Sequence, residues 1–385
     1  MSTIINTRSP FYRKINNASL ASVKLELYIF QGTYSSSLVT ANRKYTLKKD
    51  AIGSNTYVTF ELSKLIRDYM ITEYNDYATD SLWIQAVINI YNSSGTSISN
   101  TTEPYLAIDG YGYFENGINP RSVEYTTPML LQDNTTIYYS DGQDIQIPVY
   151  AEAQTITATL SPSTGIPDVY WDSANNFWES YNQNWNDGSD GTYTITDNGN
   201  TNQKIQYLLI TGTEDLASNA TITLSSNNSS YSSNTVIKLE KVCEPKFVPL
   251  SIIFYNKYGA LQNMWFFKKS MTDINIKSDT FKNNMVDFDN NGGNPTYALT
   301  KHQEKKFVAN GKESITINSG FYDESFNEVV RQMLLSEQVW IYDGTSTLPI
   351  NLKSNSLQFK KSVNDKLISY TISFSYAFDK INNII

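Results

Sequence analysis

The chain has 385 residues, of which 40% are hydrophobic and only 18% charged, with a net charge of −8. Aromatic residues reach 13%, including 28 tyrosines, which excludes a disordered chain, since those lack aromatic and β-branched residues. A single cysteine, Cys243, excludes an intramolecular disulfide framework.

At ~100–200 residues per domain, this length predicts two to four domains. Tyr, Thr, Val and Ile favour pleated surfaces, while Asn, Ser, Gly and Asp favour turns, so the composition predicts a mainly β protein. The start, "MSTIINTRSPFYRK", has no apolar core of signal-peptide length. No apolar run approaches the ~20 residues of a membrane span. The expectation is a soluble protein without a signal peptide or membrane span. Residues 1–240 carry 13 Lys+Arg against 24 Asp+Glu, whereas residues 241–385 carry 17 against 14. Without a basic stripe interleaved with aromatics, no nucleic-acid partner is expected. An acidic front and a mildly basic back suit head-to-tail contacts between copies.

Residues 1–120 read as a β-sandwich with one helix. In "VKLELYIF", Val23, Leu25, Leu27 and Ile29 alternate onto one face, and "YVTFEL" and "LWIQAVINIY" repeat the strand signal between turn-rich stretches. Within "ELSKLIRDYM", Leu62, Leu65, Ile66, Tyr69 and Met70 form one helical stripe. Residues 121–243 read as a second sandwich built from "TTIYYS", "DIQIPVYA", "TITATL", "GTYTITD", "KIQYLLI", "ATITLSS" and "TVIKLEKV". Residues 244–385 read as an α+β sandwich-plus-helix domain suited to docking. It opens on "FVPLSIIFY" and "LQNMWFFKKS". Its helix carries Phe326, Val329, Val330, Met333 and Leu334 on one stripe, with Ser325 and Glu328 as a capping box. The fold class is thus tandem β-sandwich domains with an α+β C-terminal domain.

Chemistry finds few footholds. Asp287, Asp289 and Asn291, followed by Gly292, look like the first half of a calcium loop, but position 12 falls on Ala298 instead of a bidentate Glu. A polar turn is the expected reading, with no metal and no cofactor. The one histidine, His302, lies in the Lys-rich "TKHQEKK" and reads as a surface side chain. No nucleotide-binding or hydrolase signature is present, so no catalytic residue is assigned. Trp171, Trp178 and Trp185 recur every seven residues beside Asp172, Glu179 and Asp187. They are candidates for protein contacts, or for stacking a sugar such as a host surface glycan. The Lys-rich segment 287–306 reads as a long loop that orders on a partner. Two alternatives stay open: a glycan-binding adhesin or fibre using the tryptophans, and a glycosidase using unmarked carboxylates.

The opening "INTRSPFYRKI", "ASVKLELYIFQG" and "YVTFELSKLIRDYM" resembles virion structural proteins of tailed bacteriophages, particularly those of Bacteroidota hosts. The closing stretch from "ITINSGFYDESFNEVVRQMLL" to "ISYTISFSYAFDKINNII" is similar to a C-terminal domain recurring in such proteins. The resemblance implies a tail, neck, baseplate or fibre component acting as a homo-oligomer with other virion proteins. It further implies assembly in the host cytoplasm, residence in the virion and no enzymatic role.

Overall fold

In a computed structural model, the residues described are 3–31, 37–71, 73–74, 81–120, 130–150, 155–163, 169–172, 191–196, 205–210, 213, 216–227, 234–242, 246–286, 295–353 and 367–381. The protein is mainly β, as its composition predicts, with tandem sandwiches, as the spacing of its strands predicts. It groups into two compact units that cut across residues 244–385. The first holds Met1–Pro245, Ile252–Trp265 and Glu324–Gln338; the second holds Lys246–Ser251, Phe266–Asp323 and Val339–Ile385.

The first unit begins with β1 (Thr3–Asn6), β2 (Tyr12–Asn16), β3 (Ser22–Phe30), β4 (Arg43–Asp50), β5 (Tyr57–Glu61), helix α1 (Ser63–Arg67), β6 (Leu82–Tyr91) and β7 (Ser97–Ile108). Five strands form a sheet in the order β1-β7-β6-β3-β4, and the antiparallel pair β2-β5 forms the opposing layer. Alternation decides which side chains enter the core. Val23, Leu25 and Leu27 are fully buried with Ile29 beside them, against Ile15, Val58, Phe60 and Leu62. The central strand β6 is covered almost along its whole length, which explains its near-continuous apolar run. Helix α1 is shorter than its stripe predicts. Tyr69 N–H bonds the Ile66 carbonyl and Met70 N–H that of Arg67, so the chain tightens into three-residue turns after Arg67. Leu62 and Ile66 are buried nonetheless.

The second sandwich comprises β8 (Thr136–Tyr139), β9 (Ile145–Tyr150), β10 (Thr155–Ser163), β11 (Val169–Asp172), β12 (Gly191–Thr196), β13 (Ile205–Ile210), β14 (Leu216–Ser226) and β15 (Thr235–Lys241). Its sheets run β12-β10-β14-β15-β8 and β11-β13-β9. Ile145, Ile147 and Val149 alternate inward on one sheet, and Ile156, Ala158 and Leu160 do so on the other. β16 (Leu250–Tyr255) and β17 (Leu261–Phe266) lie side by side.

The second unit contains β18 (Met271–Lys282) and β19 (Glu304–Asp323); helix α2 (Phe326–Leu335), which belongs to the first unit, follows in the chain. β20 (Val339–Tyr342), β21 (Thr347–Leu352) and β22 (Leu367–Tyr376) complete the order β20-β21-β22-β19-β18. Helix α2 buries Phe326, Val329, Val330 and Met333 as its stripe predicts, with Leu334 half-buried. The capping box does not form. Ser325 has helical angles (φ −61°, ψ −25°) where an N-cap needs extended backbone, and it makes no side-chain cap bond. The segment 287–306 is not loop throughout: residues 304–306 open β19, and Asp287 to Asn294 lie outside the described residues.

Candidate functional site

In the first unit, polar side chains converge where the β16–β17 turn and α2 meet the two sandwiches. Asn256 holds the turn: its Oδ1 accepts from Tyr258 N–H (3.0 Å) and Ala260 N–H (3.1 Å). Its Nδ2 donates to the Leu131 carbonyl (2.7 Å) and to Gln262 Oε1 (3.1 Å). Gly259 takes φ +72°, the left-handed region glycine enters at little cost, and a Cβ there would stand 2.9 Å from the backbone of Asp109 and Gly110. The turn thus lies directly on β7's exit, where Tyr111 N–H donates to the Lys257 carbonyl (2.8 Å).

Two carboxylates organise the rest. Asp133 accepts from Tyr258 Oη (2.8 Å), Lys257 Nζ (2.8 Å) and Gln332 Nε2. Glu328 accepts from Tyr113 Oη (2.5 Å), Arg331 Nη1 (2.7 Å) and Gln332 Nε2 (3.2 Å). Burial, then these carboxylates, push both the Tyr113 and Tyr258 phenols well above the usual tyrosine range, so they remain donors. A few residues on, Glu337 pairs with Arg67 (2.5 Å) and Arg8 (3.5 Å), and Arg8 Nη2 donates to the Leu335 carbonyl (2.8 Å). Burial opposes ionisation of Glu337, yet the arginines hold its carboxyl below the usual range. Each carboxylate of this network is taken up by two or more donors, so the network ties these elements to one another.

In the second unit the unusual feature is an edge. All twelve residues of β18 are exposed, and among the described residues β18 ends the sheet order. β19 pairs with β22 only from Ser314 onward. Among the described residues, the earlier half of β19 and the β18 residues opposite it, from Ile274 on, therefore form a two-stranded ribbon, joined at the Gly311 carbonyl by the Lys380 N–H (2.7 Å). The ribbon carries apolar side chains that water reaches: Ile274 at 53%, Ile276 at 57% and Phe307 at 75% exposure. A bulge between Asp279 and Thr280 leaves Phe307 unmatched in the ladder, with its ring edge-on to Phe281 at 6.5 Å.

The tryptophans singled out by spacing are not brought together by any described contact. Trp171 lies on β11 in register with Leu208, while Trp178 and Trp185 fall outside the described residues, as do Cys243 and the Asp287-Asp289-Asn291 turn. His302 is exposed, as its Lys-rich neighbourhood predicts. Sequence reading missed both the Asp133–Glu328 network and β18. The first has no sequence-local pattern, its members being nearly 200 residues apart. The second had a short signal, the alternating Ile274 and Ile276.

Among the described residues no helix is long and apolar enough to cross a membrane. No family model matches the chain, and no curated protein does. Solved structures with partial likeness include a chimeric titin Z1Z2 carrying a decorin-derived peptide. It is 12% identical, with 63% of this chain and 93% of that one covered, at a TM-score of 0.16. CBD12 from CALX1.2 is 10% identical over 58% of this chain and 76% of that one, at 0.15. The titin I-band fragment I67–I69 is 8% identical over 82% and 89%, also at 0.15.

Proposed function

We propose that this chain is a structural component of a bacteriophage virion, of its tail or baseplate, working by assembly through protein–protein contacts. The observation that carries the reading is the β18–β19 ribbon. An exposed edge strand offers a row of unpaired N–H and C=O groups, a template for another chain. A two-stranded ribbon is marginal in water unless further strands or a packed face support it. The exposed Ile274, Ile276 and Phe307 make it more costly still to leave uncovered. The resemblance at both ends of the sequence supports the same conclusion, and the Asp133–Glu328 network supplies the rigidity a particle part needs.

The test is a mass-spectrometric inventory of purified particles from a phage encoding this chain. The expected result is the chain at a fixed stoichiometry to other particle proteins. Its absence from intact particles overturns the proposal.

A further inference from the structure

We infer that β18 pairs antiparallel with β18 of a second copy, with the two-fold axis passing through Asn275. This rests on the assembly reading above and names its partner.

The side chains of β18 divide by face. Ile274 and Ile276 share one face with Thr272, Ser278 and Thr280; Asp273, Lys277 and Asp279 share the other with Asn275. Side chains opposite each other across an antiparallel pair lie on the same face. A two-fold normal to the sheet must therefore pass through a residue, and each choice of residue sets a different register.

Centred on Ile276, the pairing sets Asp273 against Asp279. Centred on Lys277 or on Asp279, it sets that charge against itself. Centred on Ser278, it matches Lys277 with Asp279 but places Ile274 opposite Lys282 and Ile276 opposite Thr280. Centred on Asn275, both faces match at once. Asp273 meets Lys277 of the second copy, twice by symmetry, and Ile274 meets Ile276, also twice. The four isoleucines then form one apolar cluster, flanked on the opposite face by two ion pairs. Thr272 meets Ser278, and the Asn275 amides face each other across the axis. The paired span, Met271 to Asp279, stops at the bulge between Asp279 and Thr280, so it uses the regular part of the strand.

A second copy is the occupant because the match is with the strand itself. The closed two-fold dimer is also the commonest arrangement of identical chains. The contact turns each ribbon edge into the interior of a continuous sheet, which meets the requirement for more than two strands.

The experiment is sedimentation equilibrium of the full chain across a roughly hundredfold concentration range, where a small interface shows as concentration-dependent dimer. Asp273→Lys and Lys277→Asp are each expected to weaken dimerisation about tenfold or more, since each puts like charges opposite twice. The double variant D273K/K277D exchanges the charges and restores wild-type association. Asp279→Lys, opposite Met271 in this register, leaves it unchanged. These positions are exposed, so the variants keep the fold, as circular dichroism should verify. A wild-type chain that stays monomeric overturns the pairing, as do single variants that dimerise normally or a double variant that does not recover. Loss on Asp279→Lys moves the axis to Ser278 and overturns this register. A chain present in particles with unaltered association in the charge variants refutes the pairing alone; a dimeric chain absent from particles refutes the virion reading alone.

Discussion

Replacing Asn256 by alanine removes four hydrogen bonds at once from the turn joining β16 and β17. Two come from the N–H groups of Tyr258 and Ala260, and two go to the Leu131 carbonyl and Gln262. A net contribution of about 1 kcal/mol per bond puts the loss near 4 kcal/mol, and stranded buried partners, at ~1–3 kcal/mol each, resist any smaller figure. Ala260 and Leu131 are both buried, so water does not readily replace the lost partners. The expected loss is about 3–5 kcal/mol of stability in the first unit, a large share of what a domain has. Urea unfolding followed by tryptophan fluorescence measures it, with hydrogen exchange at the Tyr258 and Ala260 amides reporting the turn itself. A loss below about 1 kcal/mol, with exchange unchanged, would refute the view that this side chain pins the turn.

Gly259→Ala should cost about 1–2 kcal/mol for the left-handed backbone alone and more for a Cβ 2.9 Å from the Asp109 and Gly110 backbone; the same unfolding assay checks it, and a neutral result refutes the close approach. Glu103→Gln tests a bidentate pair with Arg13 that Tyr105 also joins. Burial raises the Glu103 carboxyl, but the Arg13 and Tyr105 hydrogen bonds outweigh it and hold it below the ordinary value of 4.5. Its contribution is therefore present above that value and lost as pH falls through the depressed one. The variant should lose about 1 kcal/mol at neutral pH, after discounting for solvent screening, and converge with wild type in acid. Asp109 has the opposite sign: burial lifts its carboxyl above 3.8 despite the Thr7 hydroxyl bond (2.9 Å) and the nearby Arg8 and Arg67, with Glu337 adding to the rise. A raised carboxyl favours the fold below 3.8 and loses that favour as pH rises through the folded value. Asp109→Asn should thus gain on wild type as pH rises from acid to neutral in urea midpoints, and a constant difference would refute the assignment.

The parts of this fold that bury one face were legible in the sequence. Val23, Leu25, Leu27 and Ile29 alternate because one face of β3 meets the core, and the α2 stripe recurs at helical spacing because one side of the helix is covered. Where two local rules compete, the sequence misleads. Glu328 stands three residues after Ser325, as a capping box requires, but it bonds Tyr113 and Arg331 instead, and a contact 215 residues away has no trace in local spacing. The Asp133–Gln332 bond is hidden for the same reason.

β18 escaped notice for a different reason, and that reason bears on its role. Periodicity marks a strand because water lies on one face and core on the other, yet every side chain of β18 meets water. Its residues were therefore free of the core's demands, and what remains in "MTDINIKSDTFK" answers to something else. Exposed edges are commonly guarded by a charge that discourages pairing with other chains. Asp273 and Lys277 are such charges, each unwelcome opposite a like charge or an apolar side chain. Placed four residues apart with Ile274 and Ile276 between them, they oppose each other only in the register that also stacks isoleucine on isoleucine. A strand guarded merely for solubility needs no such coincidence; one that admits its own copy and rejects other partners does.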